Sequence, residues 1–269
     1  MTRIRAAVCL ACLLAVSALW TGCDAPRNNP LDPGASSNGT TDLIDNLPVI
    51  QNFQVKTAYT EIEGGDPLQV ISVEAFVTDR DEVSEVHIEI ADSLRLLMES
   101  FRGGPKWTLD FDVTFLLPKL RGFQGAGFYL IIYDDLGYVR RSGRQSISRV
   151  LDQELALINP QAWEVTSTTP ELSWEAYPLG QNVGIEYEVT VAVTGPNIIH
   201  LQETVQRGSE DVVTYRITES EALNPGQTYN WHVMVVDDLG NTHTSKTLNF
   251  TAASTTIHSY VNRKPEELP

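Results

Sequence analysis

Cys23 is the residue whose position implies chemistry most directly. It closes the run Leu19-Trp20-Thr21-Gly22-Cys23, after which the chain turns to Asp24, Pro26, Arg27 and Asn28. Arg3 and Arg5 form a short positive head, Ala6 to Trp20 is almost wholly apolar, and small residues precede the cysteine. That order is the layout of a secretory signal peptide. The apolar stretch is about 15 residues, short of the roughly 20 that a helix needs to span a bilayer. Cleavage ahead of Cys23 removes Cys9 and Cys12 and leaves a single thiol. A leftover thiol in an exported chain pairs with another molecule or is modified. No disulfide can then form within one chain, so the folded part must stand on its core.

Carboxylates are the other recurring polar feature, as Asp79 with Asp81, Asp134 with Asp135, and Asp237 with Asp238. Oxygen ligands of this kind suit Ca²⁺. In a β-sandwich the loops holding Asp79, Asp81, Asp134 and Asp135 would share one pole, so these four are expected to converge. The competing reading is turn chemistry, since Asp and Gly stabilise tight turns through side-chain bonds and positive φ. Neither TDRDEV nor DDLG has calcium-loop spacing, and turn chemistry is preferred. Glu175, Glu186 and Glu188 could invite a glycosidase reading, which needs two carboxylates at a set separation in a cleft; on strand faces they are expected to be solvated. The histidines at 87, 200, 232, 243 and 258 show no H-E-x-x-H or comparable spacing. His232, between Trp231 and Val233, is expected to point outward and be exposed. There is no G-x-S-x-G turn and no glycine-rich phosphate loop opening a helix. The expectation is therefore no catalytic residue, no metal and no cofactor.

LWTGC resembles the lipobox of bacterial lipoproteins, with Trp20 where Leu, Val or Ile is usual. The resemblance implies removal of residues 1–22, a diacylglyceryl thioether on Cys23 and acylation of the new amino terminus. It places the protein in a bacterial cell envelope, held to a membrane and facing the periplasm or the cell exterior. The alternative is an ordinary signal peptide with an incidental cysteine. Two or three acyl chains anchor far more firmly than one, at about 0.8 kcal/mol per buried CH₂.

The chain carries 19 Lys and Arg against 35 Asp and Glu, a formal net charge of −16. Loss of Arg3 and Arg5 with the leader makes the remainder more acidic still. That excludes nucleic acid as a partner, because its affinity comes from neutralising phosphates with Lys and Arg. Residues 23–47 are rich in Pro, Gly, Asn, Asp and Ser and lack aromatics. Such a segment cannot bury enough surface to fold and reads as a tether, reaching roughly 27 Å root-mean-square as a flexible coil. From residue 48 the texture changes to short alternating runs of Val, Ile, Thr and Tyr between Gly, Pro, Asp and Asn, which predicts an all-β fold. The matching stretches IIYDDLGYVRRS and VVDDLGNTHTS begin at 131 and 235, about one sandwich length apart. They set the frame of two tandem sandwiches over 48–150 and 157–253, a linker in RVLDQELALINP, and a tail over 254–269.

The second half resembles a fibronectin type III domain. STTPELSWEA matches the start of strand B, with Trp174 as core tryptophan. IEYEVTVAVT matches strand C, with Ile185, Tyr187, Val189, Val191 and Val193 on one face. ALNPGQTYNWHV carries Leu223, Pro225, Gly226 and Tyr229 of the tyrosine corner, in which the hydroxyl bonds back to nearby backbone. The first half looks like the same architecture, immunoglobulin-like, with LQVISVEAFVTD as strand B, VSEVHIEI as strand C and GFYLIIYDD as strand F. Ala126 stands where the corner tyrosine would be. Strand F is apolar on both faces: Phe128, Leu130 and Ile132 on one, Tyr129, Ile131 and Tyr133 on the other. A strand apolar on both sides is covered on both sides, either by the second domain or the 93–101 segment, or by a docked partner. The function expected is a non-catalytic binding or structural module, a spacer or adhesion unit with a protein or glycan partner. The alternative is an accessory subunit docking an envelope enzyme or export complex.

Overall fold

The computed structural model describes residues 47–80, 82–116, 119–180, 183–195 and 198–253. Cys23, the leader, nearly all of the tether and the 254–269 tail lie outside the described residues. The first sandwich contains β1 (Val49–Thr60), β2 (Leu68–Thr78), β3 (Val83–Ile90), β4 (Leu94–Leu97), β5 (Glu99–Ser100), β6 (Lys106–Asp112), β7 (Phe128–Asp134) and β8 (Val139–Arg141). The second contains β9 (Leu157–Asn159), β10 (Glu164–Thr166), β11 (Glu171–Glu175), β12 (Ile185–Val193), β13 (Ile198–Gln206), β14 (Val212–Arg216), β15 (Thr228–Asp237), β16 (Thr242–Thr244) and β17 (Leu248–Ala252). The fold is all-β, as the alternation predicts.

In the first sandwich a sheet ordered β1-β2-β6-β5 faces a sheet ordered β4-β3-β7-β8. Every second residue of β2 is buried, which is the period a strand with one wet face requires. Ile71, Val73, Ala75 and Val77 from β2 meet Val86, Ile88 and Ile90 from β3 and Phe128, Leu130 and Ile132 from β7. Where the tyrosine corner is missing, the longer loop buries Leu120 instead, and the Leu120 N–H donates to Gln69 Oε1 at 3.1 Å.

The second core lies between β14-β11-β9 and the sheet holding β13, β12, β15 and β17. Trp174 is fully buried and meets Tyr187 edge-on, ring centroids 5.6 Å apart. The Tyr229 hydroxyl accepts the Asn224 N–H at 2.9 Å, which is the tyrosine corner expected from ALNPGQTY. The segment read as a linker contributes Leu151, Leu155 and Leu157 to this core. A further connection joins the two halves. The last residues of β1 pair in parallel with β16, as Ala58 with Thr242, Tyr59 with His243 and Thr60 with Thr244. One hydrogen-bonded sheet therefore runs from the first sandwich into the second.

Candidate functional site

The acidic pairs are built into turns. In β7 the Asp134 Oδ1 accepts the Tyr138 N–H at 2.7 Å, and its carbonyl accepts the Gly137 N–H at 3.1 Å. In β15 the Asp237 Oδ1 accepts the N–H groups of Leu239 (2.9 Å) and Asn241 (2.8 Å). Asp237 Oδ2 takes Asn241 Nδ2 at 3.0 Å and Arg149 Nη1 at 2.9 Å. Gly137 and Gly240 close these turns at φ of 84° and 78°, where only glycine is free of Cβ strain. The recurrence of DDLG is thus the recurrence of one hairpin geometry. Asp135 donates its N–H to the Glu82 carbonyl at 3.3 Å, which sets this turn against the loop after β2. Asp81 lies outside the described residues. Asp79 Oδ1 accepts the Arg80 N–H at 2.6 Å, while Asp79 Oδ2 and Asp134 Oδ2 are buried without a hydrogen-bond partner. Among the described residues no three carboxylate, histidine or cysteine side chains gather as a metal site would require.

The glutamates of β12 pair with amides rather than with each other. Glu186 accepts Gln206 Nε2 at 2.9 Å, and Glu188 accepts Gln202 Nε2 at 2.7 Å. Glu175 is exposed. His87 bonds Glu85 at 2.9 Å, and His200 donates to the Glu221 carbonyl at 2.9 Å. His258 lies outside the described residues. His232 corrects an expectation: it points away from the core, yet it is half-buried, because β15 has neighbours on both sides. Burial pushes its imidazole below its ordinary value, opposed by Glu188, so the ring is neutral at neutral pH.

The second face of β7 is covered by the chain's own charged side chains. Ile131 is only 5% exposed. Arg141 from β8 lays its guanidinium 3.7 Å from the Tyr129 ring centroid, a cation–π contact. Arg95 from β4 donates to the Tyr133 hydroxyl at 3.1 Å. Glu89 bonds both arginines, Arg95 at 2.9 Å and Arg141 at 2.7 Å, and Asp92 bonds Arg141 at 2.6 Å. Of the 93–101 segment, Leu94, Leu96 and Met98 turn into the first core. The expected cover by the 93–101 segment is thus supplied in part by Arg95, together with Arg141 of β8.

The most constrained polar cluster, which sequence reasoning missed, lies where the sandwiches join. His243 is fully buried (0% exposed), with Nε2 donating to Glu61 Oε1 at 2.8 Å and Nδ1 to the Leu151 carbonyl at 3.1 Å. Both ring nitrogens therefore have an oxygen partner. Glu61 also accepts the N–H groups of Leu155 (2.8 Å) and Lys246 (3.3 Å). Burial opposes ionisation of Glu61, but the bonds from His243 and the two backbone donors outweigh it and hold the carboxyl below its usual value. Tyr59 stacks on His243 with centroids 5.0 Å apart, and Tyr177 tilts against it at 5.3 Å. A cleft of about 560 Å³ opens beside Glu61, lined in part by Tyr59, Glu63, Glu154 and Lys246. The one sequence signal was Thr242-His243-Thr244 in a strand, whose alternation puts the histidine inward.

Comparison with known proteins bears on the fold. The family model for the Rha78A-like, N-terminal immunoglobulin domain matches residues 159–256, which is the second sandwich. No curated protein matches the chain. Among solved structures, the chain is similar to the fibronectin(III)-like modules of CbhA from Clostridium thermocellum at 12% identity, covering 81% of this chain and 100% of that one, with a TM-score of 0.34. It is similar to dimeric latent PorU from Porphyromonas gingivalis at 12% identity, covering 78% of this chain but 20% of that one, with a TM-score of 0.30. It is also similar to the FN1–FN3 domains of chicken CNTN1 at 13% identity, covering 78% and 66%, with a TM-score of 0.26. The chain folds as β-sandwiches, the second of which matches an immunoglobulin-domain family model.

Proposed function

We propose that the chain is a lipid-anchored, non-catalytic envelope protein whose two sandwiches act as a binding or structural module, held off the membrane by the 23–47 tether. The observation that carries this reading is the continuous sheet through β1 and β16, locked by the buried Glu61–His243 pair. A sheet shared between two sandwiches resists the hinge motion that is the default for loosely joined domains. A stiff body joined to its anchor through residues 23–47 suits reach and contact. The acidic surface keeps such a body soluble and apart from its neighbours. The anchor itself rests on the LWTGC boundary and the solitary thiol.

The test is a membrane fractionation of cells expressing the chain. The parent is expected in the membrane fraction, and Cys23→Ser is expected to move most of it to the soluble fraction with no change in melting temperature. A Cys23→Ser chain that stays with the membrane would reject the anchor.

A further inference from the structure

Trp163 stands 74% exposed, immediately before β10, with a φ of 65°. An aromatic side chain in the left-handed region pays a backbone penalty, and its exposure forgoes the gain of burial. The conformation is held from several sides. The Trp163 N–H donates to the Asn249 carbonyl at 2.5 Å, and the preceding turn is closed by the Glu164 N–H to the Gln161 carbonyl (3.1 Å) and the Gln161 N–H to the Glu164 carboxylate (2.8 Å). Strain that the surroundings enforce points to use.

What Trp163 borders is the outer face of β17, β15, β12 and β13. Register places Asn249 beside Asn230, Asn230 beside Ala192, and Ala192 beside Ile199. One row along, His232 lies beside Thr190, and Thr190 beside Gln202. The short Thr190 and Ala192 are buried between longer neighbours, so β12 forms the floor of a shallow trough. None of β10, β12, β13, β15 and β17 contains Lys or Arg. His232 in its middle is neutral, and Glu186 and Glu188 supply negative charge. Anionic polymers are therefore disfavoured. Gln202 and Gln206 are engaged by Glu188 and Glu186, which leaves the amides of Asn230 and Asn249 and the carboxylate oxygens to bond neutral hydroxyl groups. The exposed Trp163 ring offers an apolar platform at small entropic cost.

We infer that this trough, with Trp163 as its anchor, binds a neutral polysaccharide chain. The inference deepens the contact role proposed above and rests on that reading, but its test does not depend on the lipid anchor. Of the tryptophans in the described residues, Trp107, Trp174 and Trp231 are buried, so Trp163 is the accessible fluorophore among them. The full chain, purified in detergent, is titrated with laminarin, arabinoxylan, galactomannan and pullulan, with polygalacturonate as the anionic comparison. Retardation in polysaccharide-containing native gels and acrylamide quenching are read together. At least one neutral polymer should retard the chain and shield one tryptophan from quenching, while polygalacturonate does neither. Trp163→Ala should weaken that binding about tenfold or more, as loss of an aromatic anchor does, at an unchanged or higher melting temperature. Failure of all four neutral polymers, or equal binding by Trp163→Ala, overturns the inference. Either result leaves the Cys23→Ser fractionation to report separately on the anchor.

Discussion

Glu61→Ala is expected to destabilise the folded part by about 3–5 kcal/mol, since each buried donor left without its acceptor costs about 1–3 kcal/mol. The carboxylate receives His243 Nε2, the Leu155 N–H and the Lys246 N–H, so its loss strands three donors, one of them on a fully buried ring. At roughly 2–4 °C per kcal/mol for a folded unit of this size, calorimetry should show a fall of about 10 °C. The expected shape of the transition also changes. With β1 no longer pinned to β16, the single transition of the parent should broaden or divide as the sandwiches unfold separately. The pH dependence has a definite sign. Glu61 is held below its ordinary value near 4.5, so its contribution is complete above that pH and is lost as pH falls through the depressed folded value. The melting temperatures of the parent and Glu61→Gln should therefore differ by a constant amount above about pH 5 and converge in more acid solution. A difference that grew on acidification would contradict the assigned role of Glu61.

Trp174→Ala is expected to cost a similar amount, about 3–5 kcal/mol for truncating a large buried aromatic. Its indole fills the second core between Tyr187 and the β14 residue Val213, which is its register partner. No neighbouring backbone can collapse into that space, because β11 is paired on both sides, with β14 and β9. The loss should therefore appear in full in a thermal melt. A variant melting within a few degrees of the parent would mean that this strand is not where the second core places it.

The parts of the structure legible in the sequence are those set by local rules. Strict alternation in LQVISVEAFVT and in TYNWHVMVVD announces one wet and one dry face, and both strands have them. The Leu223–Tyr229 spacing announces the corner because its hydrogen bond spans only a few residues. DDLG announces a turn because Asp and Gly meet its needs within four positions. Pairings between distant residues were not legible. Glu61 and His243 are 182 positions apart and belong to different sandwiches. Nothing in either neighbourhood signals that β1 will run on past its own sheet. The cover over Tyr129, Ile131 and Tyr133 comes in part from the 93–101 segment, through Arg95, and in part from Arg141 of β8, a charged cover that the apolar pattern of the strand does not announce. His232 was placed on the correct face, but its burial depends on strands either side that alternation alone does not weigh. Trp163 is not legible in the sequence, because what sets it apart is a backbone angle.

The proposed function turns on whether this body is held to a membrane through one acylated cysteine. Mass spectrometry of the mature amino-terminal peptide, from protein extracted with detergent from its native envelope, tests it most directly. The account predicts a peptide beginning at Cys23 that carries a thioether-linked diacylglyceryl group. A peptide beginning elsewhere, or an unmodified Cys23, would contradict it.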